Sequence, residues 1–546
     1  MKVGARRNKN IRNHIFIINR IIIDVLSSKQ KKPIDIQIMD YKQCFDSMWL
    51  EETMNDLYEA GVTDENLAII YQANKEINVA VKTPTGLTIR EKIQKIILQG
   101  DVFGPIECSV SVDTIGKECL TQDKHLYLYK DSVKVPVLSM VDDIIAVSEC
   151  GFKSCMLNAY LNIKTNMKKL QYGVTKCFKM HVGRTKIPEV CPELVIDGWK
   201  INEVKDVETN LTQLEDEYEG LCTMETVEEE KYLGDIISSD GKNSKNITAR
   251  ANRGIGTINQ IMSILEDVCF GKYYFKVAMV LRNSLLLSSL LTNGEAWYHL
   301  TDNDITQLER VDEDLLRRVL ECPLSTPKEM LYLELGVTPI RNILRSRRLN
   351  FLQYILQEEK DSLMFTFLMA QLEQPTRNDW GQNILKDILT FQLEMSLDEI
   401  EQMSTFQFHS LVKKKEKMKT LEYLNSIKEK HSKVKHIPHT VLEIQDYLKP
   451  NQLTTRECKF LFAARCRMVD IRGNFSNHYE DTLCPVCGEQ EDTQQHLLVC
   501  DLLCDSDGLV PTLPKYDNLF GNNLDDKVMV SRILMSHFEK RKHLLK

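Results

Sequence analysis

Two apolar stretches of this chain run directly into aspartate. Ile34-Asp-Ile-Gln-Ile-Met39 ends on Asp40, and Val135-Pro-Val-Leu-Ser-Met-Val141 leads into Asp142-Asp143, after which Ile144-Ile-Ala-Val147 is apolar again. An acidic pair inside an apolar hairpin is costly to bury unless a cation or another partner is present. Two short strands joined by a tight turn would present both side chains to one cleft. Nucleotidyl transfer uses two divalent cations roughly 4 Å apart, one activating the attacking hydroxyl and one holding the leaving pyrophosphate. Such hard cations take carboxylate oxygens. Each segment alone also has an ordinary reading: Asp after a strand is common as a helix N-cap, and a second Asp-Asp occurs at Asp525-Asp526.

The pattern around these segments alternates between strand and helix. Residues 12–27 read as a helix and residues 35–39 as a strand bounded by Pro33. Helices are expected over Leu50–Ala60, stopped by Gly61, over Glu65–Ala73 and over Lys153–Leu170. Strands are expected over Val79–Thr83 and Leu87–Ile93, on either side of a Pro-Thr-Gly turn. Further strands are expected over Leu126–Tyr129, Val133–Leu138, Asp143–Ser148 and Lys176–His181. This predicts an α+β domain, an antiparallel or mixed sheet with helices on one face. Beyond Gly241, apolar residues recur at three- and four-residue intervals to about residue 470, which predicts a mainly helical region.

At 546 residues the chain is long enough for three or four domains. The cysteines lie mostly singly in apolar surroundings, as reduced intracellular thiols do, so an intracellular location, nucleus or cytoplasm, is expected. The basic, then apolar, N-terminus lacks the small-residue cleavage site of a signal peptide. No run of about 18 uncharged apolar residues occurs, so no membrane partner is expected. The net charge of −8 argues mildly against nucleic-acid binding, but it is uneven. Acid gathers in Glu203–Glu230, and base in Lys2–Arg12, Lys413–Lys435 and Lys540–Lys546.

The segments together resemble the reverse transcriptases of non-LTR (LINE-like) retrotransposons. Asp40-Tyr-Lys-Gln-Cys-Phe-Asp46 resembles motif A, Gln99-Gly-Asp-Val-Phe-Gly-Pro105 motif B, Met140-Val-Asp-Asp143 motif C, and Lys176-Cys177 motif D. Tyr232-Leu-Gly-Asp-Ile-Ile237 resembles the primer-gripping hairpin, and residues 4–16 the last part of the fingers. Their order and spacing agree with the family. Cys44 replaces the usual Ala, Met140-Val141 the usual aromatic-Ala, and Asn13 stands where Asp is common. The resemblance implies a right-hand polymerase palm with a helical thumb, and Asp40, Asp142 and Asp143 as ligands of two Mg2+ ions. Phe45 would lie under the incoming sugar and exclude a 2′-hydroxyl, Gln99-Gly100 would line the nucleotide and template pocket, and Lys176 and Arg12 would approach the triphosphate. RNA template, DNA primer or target, and deoxynucleotides would be the partners. The implied organisation is a fingers remnant at 1–34, palm at 35–183, primer-grip hairpin and thumb at 184–300, a helical C-terminal region at 301–470, a zinc segment at 471–505 and a tail at 506–546. The earlier fingers motifs are expected to be missing, as in an N-terminally truncated copy, and no endonuclease domain is seen. An inactive relic that at most binds nucleic acid is therefore the rival reading, and a helical scaffold binding protein partners through residues 300–450 is a third.

The C-terminal cluster reads Cys484-x2-Cys487-x8-His496-x3-Cys500. A C-x2-C knuckle followed by Gly488 brings two thiolates to one ion. His496 and Cys500, four apart on a helix, complete a tetrahedral, structural zinc set with no open position. Arg465, Arg467 and Arg472 nearby are candidate phosphate contacts.

Overall fold

The structure is a computed structural model that describes residues 10–27, 32–75, 77–93, 103–121, 125–129, 133–149, 151–183, 194–196, 221–267, 271–298, 300–373, 379–450, 452–504, 515–521 and 523–546. It is a mixed α/β protein with a helical C-terminal region. Contacts divide it into two compact units, one of Met1–Asn246, Glu295–Leu300 and Gln357–Asn383, the other of Ile247–Gly294, Thr301–Leu356 and Ile384–Lys546.

The first unit contains helices α1 (Ile11–Ser27), α2 (Leu50–Glu59), α3 (Asp64–Asn74), α4 (Gly104–Thr121) and α5 (Phe152–Met167). Its strands include β1 (Ile34–Asp40), β2 (Leu138–Met140), β3 (Asp143–Glu149), β4 (Phe178–Val182), β5 (Glu225–Thr226), β6 (Glu229–Tyr232) and β7 (Asp235–Ser238). Five of these form one sheet in the order β5-β4-β1-β3-β2. All its pairings are antiparallel except β4 with β5. β6 and β7 make a separate hairpin.

The sequence predicts helices on one face of this sheet; the structure has them on both. On one face Met39, Ile144 and Ala146 share a buried cluster with residues of α4 and α5. On the other, Ile34, Ile36, Ile38, Ile145, Val147 and Met180 are also buried, and α1 packs against β4. The alternation in β1 misleads because its polar residues face a helix. Gln37 donates to the Ser154 carbonyl oxygen at 2.9 Å and accepts from Asn158 at 3.2 Å, both on α5. Asp35 lies 2.9 Å from His181 Nδ1. The Gln37 amide is thus satisfied inside the layer rather than by water. The expected strand Val133–Leu138 is two pieces: Val133–Lys134 pairs with Leu128–Tyr129, and Leu138–Met140 joins the main sheet. Pro136 lies between them and has no N–H for a ladder.

In the second unit the helices used below are α6 (Asp302–Leu320), α7 (Lys328–Leu335), α8 (Ile340–Leu356), α9 (Thr405–Lys428), α10 (Thr455–Arg465), α11 (Gln494–Val499) and α12 (Leu524–Leu544). The helical stretch Gly271–Ala296 is long and apolar enough, by length and composition, to cross a membrane, a result the count of uncharged residues alone does not give. Arg282, at its centre, is buried and forms a fork on Asp312 with two 2.7 Å bonds.

A buried ionic group ties α7 to α10. The Glu334 carboxylate accepts from Arg465 at 3.0 Å and Tyr447 at 2.7 Å, and lies 3.1 Å from His439 Nε2. Burial raises the carboxyl's pKa, but the Arg465 charge and the His439 and Tyr447 contacts outweigh it and hold the group well below the usual carboxylate range. The ionised form therefore stabilises the fold at neutral pH, and that contribution is lost only as pH falls below the ordinary carboxylate range. Gly336, which caps α7 at φ +64°, has Glu443 and Ile444 backbone atoms 2.1 Å from where a Cβ would stand. Glu334→Ala leaves Arg465 buried without its partner, an expected loss of about 3–5 kcal/mol, read as a lowered Tm by calorimetry at pH 7. An unchanged Tm would show that the ionic group adds nothing to stability.

Candidate active site and metal centre

The register of the sheet brings the predicted aspartates together. β1 and β3 pair so that Asp40 stands opposite Asp143, and β2 and β3 pair Met140 with Asp143. The intervening Val141-Asp142 forms the tight turn. Val141 has φ +60°, which costs a β-branched residue free energy and is found where surrounding structure enforces it. Val141 and Phe45 both pack against the cluster between the sheet and helices α4 and α5.

The three carboxyls act on one another. Burial, then the charges of Asp142 and Asp40, push Asp143 up to about 6. Asp142 is also raised, by burial and by Asp40. The counter-charge comes from Lys176, whose exposed ammonium donates to Asp40 Oδ2 at 2.5 Å. Lys231 of β6 lowers Asp143 as well.

What positions Lys176 is a clamp that the sequence reading missed. Lys42 N–H donates to the Gln171 carbonyl at 2.8 Å, and Gly173 N–H donates to the Asp40 carbonyl at 2.8 Å. Tyr41 and Tyr172 stack with ring centroids 5.0 Å apart, and Thr165 donates to the Tyr172 hydroxyl at 2.8 Å. The segment carrying Lys176 is thereby fixed to the strand carrying Asp40. Tyr172, four positions before Lys176, and Tyr41, directly after Asp40, are the only signs of this in the sequence.

The expected primer-grip segment is the β6–β7 hairpin, with Leu233 at φ +47° and Gly234 at φ +86° in its turn. It is pinned on both sides of its turn. The Tyr232 hydroxyl lies 2.9 Å from His14 Nδ1, and buried Asp235 accepts from Asn246 at 3.0 Å and Trp297 at 3.2 Å. Arg12 makes its ion pair with Glu295, at 3.0 Å, rather than with the three aspartates. Cys44 is buried with its Sγ 3.2 Å from that of Cys108 on α4. Gln99 and Gly100 lie outside the described residues.

In the second unit, one ligand atom from each of Cys484, Cys487, His496 and Cys500 falls within 4.8 Å of the others. Cys487 Sγ and His496 Nε2 are 3.3 Å apart; two such donors on one tetrahedral zinc would be about 3.6 Å apart, given Zn–S near 2.3 Å and Zn–N near 2.05 Å. The knuckle is closed by Gly488 N–H donating to the Cys484 carbonyl at 2.8 Å, with Gly488 at φ +71°. Gln490 Oε1 lies 3.0 Å from His496 Nδ1, which leaves Nε2 for a metal. Backbone N–H groups of Glu489 and Gln490 lower the Cys487 thiol, while burial pushes Cys500 up to about 12. The set can hold zinc. Cys504 is not among the four donors. Arg465 is a buried partner of Glu334, so the structure removes it from the expected phosphate contacts. Arg472 is paired with Asp481 at 3.1 Å.

No protein-family model matches the chain, and no curated protein matches it. Among solved structures it is similar to an apo telomerase from Candida tropicalis truncated from its C-terminal domain, at 11% identity and TM-score 0.29, over 44% of this chain and 40% of that one. It is similar to telomerase from Candida albicans in complex with a TWJ fragment of telomeric RNA, at 10% identity and TM-score 0.30, over 69% of this chain and 56% of that one. The corresponding Candida tropicalis complex gives 10% identity and TM-score 0.33, over 76% and 53%. The chain thus spans about half the length of these structures.

Two outcomes test the two donor sets. Purified protein is expected to carry one zinc per chain by elemental analysis, with Cys484→Ser or His496→Ala losing it; full-length protein grown in zinc and lacking the metal would show the set to be unused. For the aspartates, a carboxyl near pKa 6 is neutral below that pH, and a cation needs it ionised. Mg2+ affinity measured by calorimetry should fall on going from pH 7 to pH 5, by up to about tenfold per pH unit; a flat profile would exclude Asp143 as a ligand.

Proposed function

We propose that this chain is an RNA-directed DNA polymerase of the non-LTR retrotransposon type, acting intracellularly, in nucleus or cytoplasm. The observation that supports it is the juxtaposition of Asp40 with Asp142-Asp143 at one end of the sheet, beside the Lys176 ammonium. Three clustered carboxyls, with Asp142 and Asp143 raised by burial and by neighbouring negative charge, are an oxygen donor set suited to Mg2+. When bound there, two Mg2+ ions supply activation of a primer 3′-hydroxyl and stabilisation of the departing pyrophosphate.

The chain's own residues have the remaining tasks. Asp40 and Asp142 hold the ions, with Asp143 completing the set. Lys176 exchanges its contact with Asp40 for the triphosphate of a deoxynucleotide. Phe45, packed on the core below the site, limits the space at the sugar 2′ position and so favours deoxyribose. The β6–β7 hairpin, held by Asp235 and Tyr232, supports the primer end. Gln99-Gly100 would line the template side, where Gly lets backbone approach the nucleotide closely, and Arg12 would stand further along the triphosphate path. The CCHC segment carries a structural zinc and orders the chain around it.

Primer extension on an RNA template with deoxynucleotides and Mg2+ tests the reading. Asp142→Asn is expected to reduce incorporation at least about 10³-fold, the several kcal/mol that ion-held charge stabilisation supplies. If wild-type protein incorporates no more than Asp142→Asn at any Mg2+ concentration, the polymerase assignment is wrong.

A further inference from the structure

The basic run of α9 has one face that the proposed polymerase site does not use. Between α8 and α9 lies a cavity of about 790 Å3 whose lining includes Arg347, Phe406, His409, Lys413, Lys414 and Lys417. Glu416 is the one carboxylate lining it, and it is buried at 2% exposure. Both of its oxygens are engaged, one by Ser346 at 2.5 Å and one by Lys413 at 2.7 Å. Lys414 and Lys417 are exposed and make no ion pair among the described residues. In a chain of net charge −8 this is a strong local excess of positive charge.

Two further observations indicate what the face would hold. Phe406 is 84% exposed at the edge of the cavity, an aromatic ring left in water beside a row of cations. Asn350 lines the same cavity with a buried Oδ1 that has no hydrogen-bond partner. At about 1.5 Å per residue, Phe406 and Lys417 are about 16 Å apart along the helix. Exposed aromatic rings for stacking, beside cations that follow a backbone, are the features that hold single-stranded nucleic acid without base-specific readout. The Asn350 oxygen is an unused hydrogen-bond acceptor beside the cavity wall.

We propose that this face of α8 and α9 is a binding site for single-stranded nucleic acid, with Lys414 and Lys417 near phosphates and Phe406 stacked on a base. The site stands independently of the polymerase reading. Its cations are on a helix whose Val412 and Thr420 face the core, so the face is held rigid.

The test uses full-length protein and a single-stranded RNA oligonucleotide carrying 4-thiouridine. Irradiation followed by peptide mass mapping is expected to give an adduct within residues 405–428. Lys414→Gln with Lys417→Gln should reduce that adduct at least about tenfold and lower the salt slope of binding, read by anisotropy, by about 2. Phe406→Ala should weaken binding at least about fivefold while leaving the salt slope unchanged. All three positions are exposed, and an unchanged Tm verifies folding. No adduct in this segment, or one that the lysine changes leave intact, would overturn the proposal. So would displacement of the RNA by poly-glutamate at equal charge with Phe406→Ala without effect, which would mark a general polyanion surface. Asp142→Asn should retain the adduct, so failure of the polymerase reading and failure of this one are separately visible.

Discussion

The pairing of β1 with β3 is the constraint on which the first unit depends. It sets Asp40 opposite Asp143, and a slip of one residue would turn every side chain of β3 to the other face. Such a slip would also send Ile144 and Ala146 away from α4 and α5 and bring Ile145 and Val147 to them. Both faces are buried, so packing by size rather than by polarity alone must choose between the registers. Gln37 settles the matter locally: its amide reaches Ser154 and Asn158 only from the face that also carries Met39. The carboxylates are thus held together by a polar contact some three residues away along the strand. That arrangement separates the rigid part of the unit from the part that carries charge, and it lets the Val141 turn remain at an unfavourable φ.

The sequence made the strand ends, the Asp142-Asp143 turn and the C-terminal donor spacing legible, because each is a local pattern of a few residues. Helix α1, α2 and α5 begin and end within about three residues of their expected bounds, since Gly61 and apolar spacing mark them. What was not legible is non-local. Nothing in Asp35 or Gln37 says that the polar face of β1 meets a helix instead of water. Nothing in Gln171-Tyr172-Gly173 says that its backbone is clamped to Asp40. The arginine near the zinc segment was misread for the same reason: Arg465 is a good phosphate ligand by type, and only the position of Glu334, 131 residues earlier, makes it internal.

That last point extends to the net charge. Arg20, Arg282, Arg348 and Arg465 are buried and paired with Asp379, Asp312, Asp387 and Glu334 respectively. Arginine suits such sites because its planar fork meets a carboxylate with two bonds and loses less on desolvation than an ammonium. These charges cancel inside the protein and contribute little to its outer field. The balance available to a polyanion is set by exposed cations, and α9 is one place where lysines are concentrated. An acidic pI therefore does not count against a basic face.

The C-terminal segment shows how a small donor set can organise a larger piece of chain. Asp492, between the Cys487 and His496 donors, is buried, and its Oδ2 accepts from the Arg472 N–H at 2.7 Å and from Arg541 of α12 at 2.7 Å. His537 Nδ1 lies 2.9 Å from the Leu497 carbonyl on α11, and Lys540 donates to the Leu503 carbonyl at 3.0 Å. The loop that carries the thiolates thus also receives the last helix of the chain. Four donors drawn onto one ion would fix that loop, and the buried Asp492 carboxylate would then stay in reach of Arg541. Arg541 and Lys540 of α12 are spent on this loop, and Arg472 on Asp481, so these cations serve the packing of the segment rather than a surface gripping phosphate.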